Sequence, residues 1–366
     1  MAVAFGKRRA GGPYHSGLAR SVLVAVVALL TIGTAACRSS GHSQAHGKTA
    51  SSAASPTTVK SVQMQWSAPQ KIGTVQGYAG VSCPTANFCA ALIADARTVG
   101  SAIIWNGTSW SAPQVLLNQN LNHVSCPSPS FCLAAAPNGT AFIWNGTSWS
   151  SGSRVRWPNP TDGLTNVSCA SATFCAAPDV DGDVRVWNGS SWSVENKVGS
   201  DSISCPTASF CMVVDEQGNA AAWNGTSFSA PQRIDANSFA AVSCPSASFC
   251  MALDQQGDWL AWNGTSWSTP RPTQPARPNS APSHGAGPNV VNWLSCPSAS
   301  FCVAVGSDGS AIGWNGTSWS APQSVDPSLA NQGRPQLGID AVSCPSTSLC
   351  VAVFPDGNAV IGRQAG

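Results

Sequence analysis

The strongest constraint on this chain is a repeat that is cut at both ends. One pattern occurs seven times between Ser82 and Cys350, as SCPTANFC, SCPSPSFC, SCASATFC, SCPTASFC, SCPSASFC (twice) and SCPSTSLC. Six copies of a second pattern, WNGTSW with small variations, alternate with it and begin at Trp105, Trp144, Trp187, Trp223, Trp262 and Trp314. The seventh unit reaches Gly366 without its WNGTSW, and Gly362 stands where the first Trp is expected. Yet "QWSAPQ", the tail of such a segment, stands at Gln65–Gln70, ahead of the first unit.

Successive units lie 36 to 52 residues apart. A period near forty made of short β-like segments belongs to a propeller blade or to a rung of a β-solenoid. In the sixth unit, "LSCPSASFCVAVGSDGSAIGWNGTSWSAPQ", a first strand runs to Cys296 and a tight loop covers 297–300. A second strand "FCVAV", a turn "SDG", a third strand "AIGW", a turn "NG" and a fourth strand "TSWSAP" follow. Asp-Gly and Asn-Gly are strong hairpin signals because both positions tolerate positive φ. The expected unit is a four-stranded antiparallel meander, which is one propeller blade.

The cut ends then favour a ring. A closed propeller needs a strand from the N-terminal end to complete its last blade, which leaves no open sheet edge there. A solenoid would instead need terminal caps. The fold expected over residues 62–366 is therefore all-β, a seven-bladed β-propeller of four-stranded antiparallel blades, with an N-terminal strand closing the last blade.

Cysteine usage sets the compartment. Fourteen of the fifteen cysteines form pairs of one spacing: Cys83 with Cys89, Cys126 with Cys132, Cys169 with Cys175, Cys205 with Cys211, Cys244 with Cys250, Cys296 with Cys302 and Cys344 with Cys350. Each pair spans the hairpin of the first two strands, so seven local disulfides are expected, as suits an exported chain. Metal-binding cysteines stand closer together and are joined by histidines, which is not the pattern here.

Residues 1–36 read as a signal peptide, with Lys7, Arg8, Arg9 and Arg20 ahead of the apolar stretch Ser21–Ile32. The stretch ends in "GTAAC", a lipobox-like sequence with Thr34 where an aliphatic residue is usual. Acylation of Cys37, the one cysteine without a partner, is expected; plain secretion is the alternative. Residues 37–61 would then be a lipidated cysteine followed by a disordered polar tether. His42 and His46 in that tether are read as solvated rather than metal-binding. Without residues 1–36 the chain has 14 basic and 16 acidic residues, which excludes a nucleic-acid footprint.

The paired tryptophans of WNGTSW share one face of a hairpin, as diagonal neighbours across a two-residue loop or directly opposed across a four-residue one. Packing between blades is the expectation, and sugar stacking is the alternative. The Asn-Gly-Thr triplets are read as turn chemistry rather than glycosylation sites. Asp179, Asp181 and Asp183 in "DVDGD" are a weak calcium candidate against a plain turn. No cofactor is expected.

Catalysis finds little support. There are two Glu and fourteen Asp, many in turns, and no spacing picks out a glycosidase pair. Tyr78 is the one tyrosine beyond the signal segment, His123 and His284 are isolated, and no GxSxG or HExxH occurs. Binding is the better expectation, at the rim carrying the turns between second and third strands and the linkers between units. That rim includes the Pro-rich insertion 269–289. Trp157, Trp259 and Trp293 lie outside the repeat pattern and are the candidate contact residues.

The SCPSxSFC and WNGTSW units resemble repeats in exported, largely uncharacterised actinobacterial lipoproteins, and the layout is distantly similar to kelch, sialidase-like and WD40 propellers. The resemblance implies fold and export, with no activity attached. The expected function is that of a non-catalytic, membrane-anchored extracytoplasmic propeller, monomeric, binding a protein partner or envelope glycan. The alternative is a carbohydrate-binding lectin or a carbohydrate-active enzyme.

Overall fold

The computed structural model describes residues 61–73, 80–94, 99–117, 121, 123–155, 163–195, 197–274, 291–326 and 338–365. The signal segment, Cys37, the tether with His42 and His46, Tyr78, Trp157, His284 and most of the Pro-rich insertion lie outside them. No helix among the described residues is long and apolar enough to cross a membrane.

The described chain forms seven antiparallel sheets, one per repeat unit, numbered here as blades 1 to 7. Blade 6 shows the plan: Val291–Ser298 is innermost, followed outward by Phe301–Gly306, Ser310–Trp314 and Gln323–Ser324. Second strands such as Phe301–Gly306 and Leu349–Val353 are buried at every position. They do not alternate polar with apolar because a neighbouring blade covers each face, so the run FCVAV reads apolar throughout.

Blade 7 is completed from the front of the chain. Met64–Trp66 pairs with the third strand, Asn358–Gln364, as Met64 to Gln364 and Trp66 to Gly362. Gln70–Lys71 continues along the same strand, opposite Ala359 and Asn358. Val62 and Met64 are buried with Val303, Val305, Val342 and Val360, in a core shared by blades 6 and 7.

All seven Cys-x5-Cys pairs are disulfides across the innermost hairpin, with Cα–Cα distances of 3.9 to 4.1 Å. In blades 1 to 4, Cys83 is bonded to Cys89, Cys126 to Cys132, Cys169 to Cys175 and Cys205 to Cys211. In blades 5 to 7, Cys244 is bonded to Cys250, Cys296 to Cys302 and Cys344 to Cys350, so every bridge joins the partners expected from spacing. The second cysteine of each pair lies on the buried second strand and is fully enclosed. One detail differs from expectation. A register irregularity lies between Ser295 and Ser298, and the innermost strand runs through Pro297 rather than stopping at Cys296. Seven disulfides within blades are the mark of a chain that matures outside the reducing cytoplasm.

The fourth strand departs from the sequence expectation. "TSWSAP" is not a continuous strand. Trp314 and Trp319 meet in a single bridge, the chain leaves the sheet through Ala321–Pro322, and regular pairing resumes only at Gln323–Ser324. Pro322 has no N–H to give the ladder, and the serine two residues before it takes over a ladder position. Ser320 donates its N–H to Gly313 O at 2.8 Å, while the Gly313 N–H donates to Ser320 Oγ at 3.0 Å. Blade 3 has Glu195 in place of that proline, and there the outer strand is continuous over Trp192–Glu195. The same serine device joins the two ends of the ring: Ser67 N–H to Ile361 O at 2.9 Å, and Ile361 N–H to Ser67 Oγ at 3.0 Å. Ser67 of QWSAPQ thus does for blade 7 what Ser320 does for blade 6.

Candidate functional site

Each repeated residue has a local task, and these tasks separate a structural rim from a variable one. At the structural rim the loop between third and fourth strands is four residues long, so the two tryptophans are directly opposed. The Asn side chain closes that loop: Asn106 Oδ1 accepts from the N–H groups of Thr108 and Ser109 at 3.0 and 2.9 Å. Asn145, Asn188, Asn224, Asn263 and Asn315 repeat this arrangement. The first Trp of each pair donates its indole N–H to a carbonyl of the neighbouring turn, as Trp314 to Ala299 O at 3.1 Å. Its ring meets the second Trp at tilted angles, 5.7 Å apart for Trp314 and Trp319. The Phe of the Cys motif in the preceding blade can pack onto the first Trp, as Phe174 does on Trp223 at 5.9 Å. The aromatic pairs therefore pack between blades, which is where tilted ring pairs add to simple burial.

One shared task escaped the sequence reading. The Ser of each "SC" dipeptide accepts a hydrogen bond from the Cys N–H of the next blade. Ser82 accepts from Cys126, Ser125 from Cys169, Ser168 from Cys205 and Ser204 from Cys244, at 2.8 to 2.9 Å. Ser243 serves Cys296, Ser295 serves Cys344, and Ser343 returns to Cys83 at 2.9 Å. Seven serines form a closed belt around the central channel, so the dipeptide is a connector between blades. Seven identical dipeptides were the visible signal, but their partner is supplied only by the neighbouring blade.

The opposite rim carries the turns between second and third strands and the linkers to the next blade. Each of several linkers is pinned to the preceding turn through a glycine carbonyl, as Val198 N–H to Gly182 O at 2.7 Å and Ile234 N–H to Gly218 O at 2.9 Å. Gly218 has φ of 80°, and a Cβ there would stand 2.5 Å from Asp235 O, so only glycine fits this crossing. The first residue of the turn is a buried aspartate in blades 3, 4 and 5. Asp215 Oδ1, for example, accepts from the N–H groups of Gln217 and Asn219 at 2.9 and 2.8 Å.

In "DVDGD", Asp179 is fully buried; Oδ1 accepts from the N–H groups of Asp181 and Asp183, and Oδ2 accepts from Arg185 at 3.3 Å. Lys197 lies 3.8 Å from Asp183 and donates to the Asp181 carbonyl at 2.9 Å. The carboxylates of Asp179 and Asp183 thus meet amides, Arg185 and Lys197. Among the described residues no three His, Cys, Asp or Glu side chains are arranged to hold a metal ion.

Charge on this rim is uneven. Ten of the sixteen acidic residues fall between Asp179 and Asp258, in blades 3 to 5, against the three cations Arg185, Lys197 and Arg233. A cleft of about 330 Å³ opens between blades 3 and 4, lined by Val180, Asp181, Lys197, Val198, Asp215 and Pro231 among others. Beside it, burial, reinforced by the charges of Glu216 and Asp215, pushes the Asp201 carboxyl up to about 7. Between blades 4 and 5, burial and the nearby Asp235 hold the Asp258 carboxyl above its usual range.

The candidate tryptophans part ways. Trp293, on the innermost strand of blade 6, faces His123 of blade 2 across the channel mouth, with ring centroids 6.5 Å apart. Burial lowers the His123 pKa to about 4, so the imidazole is neutral near pH 7. Trp259 sits 4.9 Å from Trp314 between blades 5 and 6, with the Arg271 guanidinium 5.5 Å from its ring centre. The structure does not bring these two together, and Trp157 lies outside the described residues.

No family model matches the chain, and no curated protein sequence matches it. Among solved structures, the crystal structure of the WD40 β-propeller domain of Doa1 is similar, with a TM-score of 0.59 and 12% identity, covering 81% of this chain and 97% of that one. At that identity the likeness speaks for the fold alone: this chain is an all-β seven-bladed propeller resembling a WD40 propeller.

Proposed function

We propose that this chain is a non-catalytic binding propeller, tethered outside the cytoplasm through acylated Cys37, whose variable rim takes a protein partner. The observation that carries the reading is the division of labour between the rims. The Asn-Gly rim is nearly identical in six blades, and its Asn side chains are engaged within the blade. The other rim holds what differs between blades: turn sequence, linker length, the cleft and most of the charge. A rigid scaffold with variable loops on one face is the usual layout of a recognition surface.

The tryptophans that suggested a lectin are engaged between blades, which favours a protein partner over a stacked sugar. The test is capture with the intact chain as bait. Capture of one partner is expected, lost on deleting 270–288 or on altering the blade 3–5 turns, and unchanged by Thr317→Ala on the opposite rim. Partner binding that maps to the Asn-Gly rim would overturn the reading. So would glycan binding abolished by Trp293→Ala, or polysaccharide turnover abolished by one carboxylate change. For the anchor, Cys37→Ala should release the chain from membranes and end its labelling by a fatty-acid analogue.

A further inference from the structure

The outer edges of the blades are not alike. In blades 2, 4, 5 and 6 the outermost strand is two residues long: Ser153–Arg154, Gln232–Arg233, Arg271–Pro272 and Gln323–Ser324. Blade 7 is closed by two pieces separated at Pro69, and in blade 1 the strand Gln114–Leu117 pairs with a register shift between Gly100 and Ser101. Short, proline-broken or bulged edges offer a foreign strand little to pair with. Blade 3 has no such interruption. Where blades 1 and 6 read Trp-Ser-Ala-Pro, it reads Trp192, Ser193, Val194 and Glu195, and these four pair in unbroken register with Val184–Trp187.

The ladder decides which groups of this edge are free. The Asn188 N–H donates to Ser191 O at 3.1 Å and closes the hairpin, and from there bonded and non-bonded pairs alternate. Val186 with Ser193 and Val184 with Glu195 are bonded pairs, whereas Trp187 with Trp192 and Arg185 with Val194 are not. The N–H and C=O groups of Trp192 and Val194 therefore point away from the blade, and among the described residues none of the four has a partner. The edge is open to solvent, with Ser193 exposed and the Val194 side chain 40% exposed. At its end Lys197, with φ of 55°, turns the chain into the wall of the cleft between blades 3 and 4, beside the exposed Val180.

Building on the proposed rim function, we infer that the partner adds an extended segment to this edge as a fifth strand of blade 3. Free N–H and C=O groups on alternate residues are matched by the backbone of another β-strand. An apolar, β-branched side chain opposite Val194 would cover its exposed surface. A free segment of the partner fits better than a second copy of the ring, because the edge runs on into the cleft, where a single chain can follow and a folded ring cannot.

The test uses the full chain with a labelled octapeptide, Lys-Thr-Val-Thr-Val-Thr-Val-Lys, and its counterpart methylated at every backbone nitrogen. By fluorescence anisotropy the first should bind and the second should not. In hydrogen-exchange NMR the bound peptide should protect the Trp192 and Val194 amides and leave those of Ser193 and Glu195, already bonded in the ladder, unchanged. Val194→Ala together with Glu195→Pro gives blade 3 the outer sequence of blades 1 and 6, so the ring should fold with an unaltered circular dichroism spectrum. Peptide binding to that variant should fall about tenfold. Val194→Thr keeps strand propensity and should change binding by about twofold at most. Binding of the methylated peptide, protection that bypasses Trp192 and Val194, or equal losses from Val194→Thr and the double variant would overturn the inference. So would a dimer, seen by sedimentation, that the double variant abolishes, since the edge would then belong to a second copy. If a captured protein depends on the rim yet binds the double variant as well as the parent, this inference falls and the rim reading stands.

Discussion

Gly362 and Trp66 offer the sharpest test of how the ring closes. In six blades the first residue of the aromatic pair is Trp, whereas blade 7 has Gly362, opposite Trp66. The Trp66 ring fills the space: a Cβ at position 362 would lie 2.7, 2.8 and 3.0 Å from three of its carbons. Gly362→Ala therefore forces the Trp66 ring from its place or overpacks the site, at a cost of about 2 kcal/mol. Trp66→Ala empties the same site. Full burial would put that loss at about 3–5 kcal/mol, and partial exposure of Trp66 places it near the lower end, about 3 kcal/mol. Independent effects would sum to about 5 kcal/mol. The double variant should instead lose only about 3 kcal/mol, because truncating Trp66 removes the ring atoms that the new Cβ strikes, leaving a coupling of about 2 kcal/mol. Urea unfolding of the four oxidised proteins, followed by circular dichroism, measures the cycle. Additivity within about 0.5 kcal/mol would refute the register that sets Trp66 over Gly362, and with it this account of closure.

Three further outcomes follow from the same geometry. Ser204→Ala and Ser343→Ala each leave a Cys N–H of the next blade without an acceptor, so each should cost about 1–3 kcal/mol in urea unfolding; a loss at Ser204 with none at Ser343 would mean that the belt is open between blades 7 and 1. Deleting 62–71 should lower the melting temperature of the entire ring, while deleting 40–58 should leave it unchanged, as measured by calorimetry. Asp201 gives a pH dependence of stability. Its folded pKa, about 7 against 3.8, means that the folded chain holds a proton the unfolded chain has released, so stability falls as pH rises through this window and levels off above 7. The full shift corresponds to about 4 kcal/mol, and solvent screening of this partly exposed group reduces it to on the order of 1–2 kcal/mol. Asp201→Asn should therefore be more stable than the parent at pH 8 by that amount and equal to it at pH 4; a variant less stable at pH 8 would contradict the argument.

Much of the fold was legible because repeats convert local chemistry into architecture. Seven Cys pairs of one spacing, Asn-Gly and Asp-Gly turns, and a displaced QWSAPQ led to seven blades, seven disulfides and a strand borrowed from the front of the chain. Each of these is a short-range pattern, or a pattern completed by its own copy, and a sequence displays such things directly. The fourth strand was misjudged because propensity favours Trp and Thr in strands, while a single proline removed one N–H and let Ser320 reroute the ladder.

Spacing along the chain carries the repeat, the disulfide partners and the need for a closing strand. What meets across blades follows from packing in three dimensions. The serine belt joins residues from 37 up to 260 positions apart. His123 meets Trp293 across the channel because blades 2 and 6 face one another there. Asp201 is buried beside Glu216 and Asp215 only in the folded blade. Contacts between neighbouring blades repeat with the unit, but which residue of one blade meets which of another is chosen by packing rather than by spacing along the chain.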